Sequence, residues 1–185
     1  MKKFIFNCFT GLILTWTVAG YSQNSNATAK TNAHSSLEQF ILSSEELEKN
    51  ASGNSAPVSI NEINTKVVKN FAKGFKNATG VKWMKTSGGL FAAYFVSDDI
   101  KNLVCYNKKG NYEFMLRYYK EEKLPREIRH LVKSSYYDFN IYLVTEAHRN
   151  GKIAYVVQME DKTSLKTIKI VDGEMETMEE YVKSK

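Results

Sequence analysis

Eight short apolar runs, punctuated by turn residues, constrain this chain more than any other feature. They fall at 81–86, 90–96, 100–106, 111–119, 141–147, 152–160, 164–171 and 174–181, and are rich in Val, Ile, Phe and Tyr. Gly, Asn, Asp and Ser stand between them, as in Ser97-Asp98-Asp99 and Asp172-Gly173. Runs of this length and punctuation predict an antiparallel meander. The chain has only 2 Pro against 11 Tyr and 10 Phe, so little in it interrupts strand pairing.

Each set of four runs follows a helical stripe. Ile60, Ile63, Val67, Phe71, Phe75 and Ala78 recur at steps of three and four, behind capping-box spacing at Ser59-Ile60-Asn61-Glu62. Lys66, Lys69, Lys73 and Lys76 lie mostly off that stripe, and Gly80 suits a helix stop. A second helix opens at Pro125, with Ile128, Leu131, Val132, Ser135 and Tyr136 inward. The halves match in spacing: Val81 and Ile141 are 60 apart, and Gly110 and Gly173 are 63 apart. Residue identity between them is slight, so what repeats is architecture. The expectation is an α+β tandem repeat over 59–182, with halves 59–123 and 124–182. Each half is one helix plus a four-stranded antiparallel meander, with the helices packed on one side of two sheets or one continuous sheet.

The N-terminal region has a different character. Lys2 and Lys3 precede an apolar core ending at Val18-Ala19-Gly20, the three parts of a secretory signal peptide over 1–23. The core is shorter than the roughly 20 residues a membrane helix needs, so no stable membrane span is expected after its removal. A periplasmic or secreted location follows. Residues 24–58 read as a flexible linker rich in Asn, Ser, Ala and Thr. Within it, Ser35-Ser36-Leu37-Glu38 has capping-box spacing, and Leu37, Phe40, Ile41 and Leu47 are partly helical in spacing. These residues leave open a short helix at 36–48 docked on the domain or a disordered tail.

Cleavage lowers the formal charge from +6 to +4, since 24 basic and 20 acidic residues remain after Lys2 and Lys3 leave. Cys8 leaves too, and Cys105 alone makes no internal disulfide. It sits in the apolar run Leu103-Val104-Cys105-Tyr106, where a buried, inert thiol is expected.

The residues offer little reaction chemistry. His34, His130 and His148 lack metal-ligand spacing, and no CxxC, HExxH or GxSxG is present. Asp98-Asp99 and Glu121-Glu122 stand in polar turns and read as solvated acids. The 22 Lys are scattered and outnumber 4 Arg, which argues against nucleic-acid recognition. No catalytic residue, metal or cofactor is expected, and the protein is read as not an enzyme.

Aromatic residues are the functional lead. In the run 111–119 both faces carry large groups, and a helix layer covers only one. The other set would line a helix-free face, where Tyr and Arg are typical interface anchors. Tyr94, Tyr112, Arg117, Tyr118, Tyr119 and Tyr142 are the candidate partner-binding residues. The competing reading is that this face is closed by the other half, the linker or a second copy.

One family shares several of these marks. Phe75-Lys76-Asn77-Ala78 leads into Val81-Lys82-Trp83, and Tyr112 is followed by Leu116-Arg117-Tyr118-Tyr119. Leu124-Pro125 with Ile128, Tyr136-Tyr137-Asp138 and Asp172-Gly173-Glu174-Met175-Glu176 complete the set. Over about 60–182 the chain resembles the PepSY-like, beta-lactamase-inhibitor-like family of exported Bacteroidetes proteins. The resemblance implies a beta-lactamase-inhibitor-like fold. It carries no catalytic residues across, and implies kinship with a beta-lactamase inhibitor and with PepSY domains thought to inhibit proteases. The expected function is an exported, non-catalytic, inhibitor-like binding module for a protein partner in the cell envelope. The alternative is an envelope enzyme or small-ligand-binding protein whose site no motif encodes. Partner identity and oligomeric state stay open.

Overall fold

The computed structural model describes residues 57–86 and 88–184. The signal peptide expected over 1–23, the linker to residue 56 and the candidate helix at 36–48 lie outside the described residues.

Among the described residues eight strands form: β1 Thr79–Lys85, β2 Phe91–Ser97, β3 Ile100–Tyr106, β4 Tyr112–Tyr119, β5 Asn140–Arg149, β6 Lys152–Glu160, β7 Ser164–Val171 and β8 Glu174–Val182. They make one antiparallel sheet in the order β1 to β8. Among the described residues two α-helices accompany them, α1 Thr65–Gly74 and α2 Arg126–Ser135. Asp98 and Asp99, Asn150 and Gly151, and Asp172 and Gly173 all have positive φ. Two such central residues make the tight turns whose twist suits a hairpin.

This architecture corrects the expected tandem repeat of helix-plus-four-strand units. β4 pairs directly with β5, from Met115↔His148 to Tyr119↔Val144, so the boundary between the halves is a hydrogen-bonded ladder. The result is one strand-dominated, eight-stranded sheet. The physical reason is that edge strands of two separate four-stranded units would leave backbone donors and acceptors unpaired. Joining β4 to β5 satisfies them.

The first helix also starts later than its sequence signals suggest. Ser59 makes no side-chain cap, and Ile60–Glu62 is a single 3₁₀ turn. Asn64 is the cap instead: its side chain accepts from Lys66 N at 2.9 Å and donates to Lys108 O at 2.9 Å. One residue thus starts α1 and ties it to the β3–β4 turn.

Both helices lie on one face of the sheet. Val67 and Phe71 of α1 pack with Trp83, Phe91, Ala93, Phe95 and Val104. Phe71 meets Trp83 and Phe95 edge-on at 5.2 and 5.5 Å. Val132 of α2 packs with Tyr119, Val144, Val157, Ile168 and Ile170. Strand register joins the two clusters across one face, since Val104 pairs with Met115 and Tyr119 with Val144. The other face carries Leu103, Cys105, Phe114, Leu116, Ala154 and Val156, all buried.

Candidate functional site

Between the two helices, the shared face of the sheet keeps a strip of polar and aromatic side chains. Cross-strand pairing sets its rows. Met115, His148 and Ile153 form one row, and Asn102, Arg117, Glu146 and Tyr155 the next. Ile153 is 40% exposed and Tyr112, at the open end, 46%. The Tyr112 hydroxyl donates to His148 O at 3.2 Å, and its ring meets Tyr106 edge-on at 6.3 Å.

Glu146 is the centre of this strip. It is buried at 4% exposure. Arg117 Nη1 donates to Oε1 at 2.8 Å, the Tyr119 hydroxyl donates to Oε2, and His148 Nε2 approaches Oε1. A carboxylate only accepts, so His148 Nε2 carries the proton in that contact. Burial alone would push the Glu146 carboxyl up. Donors from His148, Tyr119 and Arg117, with the Arg117 charge, outweigh it and hold the carboxyl at about 2. Burial first, and the bond to Glu146 second, push the Tyr119 phenol well above its ordinary range. The Arg117 guanidinium also stacks over the Tyr119 ring at 5.7 Å.

This geometry fits recognition better than proton transfer. A carboxyl at about 2 is a weak base and already ionised at neutral pH, and a phenol pushed upward is a weak acid. What the cluster does well is hold Arg117, 30% exposed at its side chain, in one orientation. Arg117 is thereby pinned beside the exposed Tyr112 and Ile153.

The six candidate residues divide between the faces. Arg117 and Tyr119 share the helix-bearing face with Glu146, and Tyr112 reaches that strip through His148. Tyr119 is buried, so it supports the surface from below. Tyr94 and Tyr118 lie half-buried on the helix-free face, packed against its apolar cluster. Tyr142 is 40% exposed at a β5 irregularity between Ile141 and Leu143. No single face gathers all six.

Glu146 and His148 carry the site's polar organisation, and neither belongs to the six. One signal was present: Val144, Glu146 and His148 alternate along one strand, placing an acid at core parity. Elsewhere, Glu121 is occupied by Arg129 at 2.7 Å and Lys133 at 3.7 Å, and His130 is exposed. Burial, then the Glu113 charge, pushes the Cys105 thiol up to about 12, as an inert thiol requires. Among the described residues no group of three His, Cys, Asp or Glu is placed to hold a metal.

No family model matches the chain, and no curated protein matches its sequence. Solved structures do match its fold. A BLIP-like protein from Bacteroides fragilis is 18% identical, with TM-score 0.52, over 72% of this chain and 91% of that one. A DUF2874 family protein from Bacteroides uniformis is 13% identical, with TM-score 0.51, over 64% and 88%. A protein from Bacteroides eggerthii, provisionally described as periplasmic, is 13% identical, with TM-score 0.51, over 65% and 88%. The eight-stranded sheet is thus similar to BLIP-like structures. At such identities the likeness concerns fold alone.

Proposed function

We propose that this protein is an exported, non-catalytic binding module of the cell envelope. A protein partner docks on the strip between α1 and α2. The observation that carries this reading is Arg117, half-exposed and fixed by the buried Glu146, with Tyr112 and Ile153 exposed beside it. The BLIP-like and periplasmic descriptions of its structural neighbours support both the class and the compartment. An inhibitor-like role and PepSY-like kinship belong to the same proposal, on the strength of the sequence resemblance.

The strip takes the place of the helix-free face as the docking surface because the core of that other face is buried. The test is capture from envelope extract, followed by binding measurements with the purified partner. Tyr112→Ala and Ile153→Asp alter exposed side chains and should each weaken binding about tenfold or more, with the thermal midpoint nearly unchanged. Full binding by both variants would exclude the strip. Turnover of a small substrate by the purified chain would exclude the non-catalytic reading.

One observation favours a second reading, small-ligand binding. An open apolar cavity of about 590 Å³ lies between α1 and β1, lined by Val58, Val68, Phe71, Val81, Trp83 and Met84. Its size falls within the range of small-molecule sites. Quenching or a shift of Trp83 emission by an apolar ligand such as a fatty acid would support it.

A further inference from the structure

The helix-free face poses a packing problem. Leu103, Cys105, Phe114, Leu116, Ala154 and Val156 lie there at 4% exposure or less, in a cluster whose buried members, among the described residues, all come from strands. Both described helices are on the opposite face. One sheet layer presents alternate side chains to whatever lies beyond it. An apolar face of this extent, buried to this degree, needs a covering layer.

The chain preceding Pro57 is placed to supply it. Pro57 bridges Met84 on β1. Met84 pairs with Ala92, and the row continues through Cys105 to Phe114. The N-terminal segment therefore joins the fold at the end of that apolar row. Residues 36–48 carry Leu37, Phe40, Ile41 and Leu47, four glutamates and no Lys or Arg. A 13-residue helix is about 20 Å long. The cluster runs from β2 to β7, five strand spacings or about 24 Å. Residues 49–56 span up to about 26 Å, enough to connect the two. Exposed Lys82 and Lys101 pair with Tyr94 and Tyr118, which pack on this cluster, so cations stand at its rim.

We propose that residues 36–48 dock in cis on the helix-free face as an amphipathic helix, with the apolar stripe on the Cys105 cluster and the glutamates toward Lys82 and Lys101. This inference stands independently of the partner reading, which concerns the opposite face.

Cys105, 1% exposed, is a built-in reporter. Its alkylation in the mature chain, which lacks Cys8 and Trp16, can be read by mass spectrometry of its own peptide. Phe40→Asp combined with Ile41→Asp should speed labelling about tenfold or more while Trp83 emission, on the helix-bearing face, stays unchanged. In the unmodified chain, amides of 37–47 should exchange hydrogen slowly. Exchange at open-chain rates there would overturn the proposal, whatever the variant does. So would unchanged Cys105 protection in the variant, which would mean that the sheet seals this face by its own curvature. Protection that disappears on dilution, with a doubled mass when concentrated, would assign the cover to a second copy and also overturn it.

Discussion

Arg117 Nη1 and Glu146 Oε1 stand 2.8 Å apart, and the two residues are registered partners on β4 and β5. The ion pair thus sits on the ladder that joins the two halves of the chain. Its acid is buried and its base is half-exposed, so the pair is an anchor for a surface Arg. Replacing Glu146 by Gln keeps the shape but leaves Arg117 without its counter-charge and Tyr119 with a weaker acceptor. Urea unfolding should show a loss of about 2–4 kcal/mol. A loss below about 1 kcal/mol would mean that the cluster is energetically idle.

Acid should act through the same group. The Glu146 carboxyl is lowered from an ordinary 4.5 to about 2, so its contribution is complete above pH 4.5 and disappears as pH falls toward 2. At neutral pH that contribution is about 3 kcal/mol. Asp161 titrates in the same window: the Thr163 N–H foremost, with Ser164 N–H and the two hydroxyls, outweighs desolvation and holds it at about 2. Comparing unfolding midpoints from pH 5 to 2 in the native chain and in Glu146→Gln separates the two. The variant should lose less stability over that range, and parallel curves would assign the acid sensitivity elsewhere.

Gly110 is the glycine whose side-chain hydrogen matters most. Its φ is +88, and a Cβ there would lie 2.7 Å from Lys66 Cβ and 3.1 Å from the Lys66 carbonyl carbon. Its carbonyl also accepts from Asn70 Nδ2 at 2.8 Å, fastening the β3–β4 turn to α1. Gly110→Ala should cost about 2 kcal/mol or more, combining backbone strain with a displaced helix. Gly173, with φ +82 and open space around it, bears the strain alone. Gly173→Ala should therefore cost less, about 1 kcal/mol. Equal thermal shifts in the two variants would contradict this.

Phe71 ties α1 to the sheet through rings at 5.2–5.5 Å from Phe75, Trp83 and Phe95. Phe71→Ala should cost about 3–5 kcal/mol and alter Trp83 emission. A loss under about 1 kcal/mol would mean that the site collapses around the deletion or is not buried in solution.

Much of the local structure is legible in the sequence. The eight strands form within two residues of the eight apolar runs, because side-chain alternation and Gly, Asn and Asp turn chemistry are local. Phe71 and Val132 are buried as the helical stripes required. Cys105 is buried for the same reason, being in an apolar run. α1 starts five residues beyond the Ser59 signal because Asn64 is its cap. Asn64 is held there by Lys108 O, which arrives from 44 residues away and leaves no local signal.

Tertiary structure alone decided the rest. Runs of alternating residues say which side chains share a face, never which strand lies beside which. That β4 meets β5, making one sheet of what reads as a repeat of two units, depends on backbone groups that every residue carries. The same pairing sets Arg117 opposite Glu146, 29 positions along the chain. Arg117 stands out in the sequence as an interface type and Glu146 as an acid at core parity, but nothing in the sequence pairs them. The buried acid becomes a site only because folding brings three donors to one carboxylate, and water is excluded where they meet.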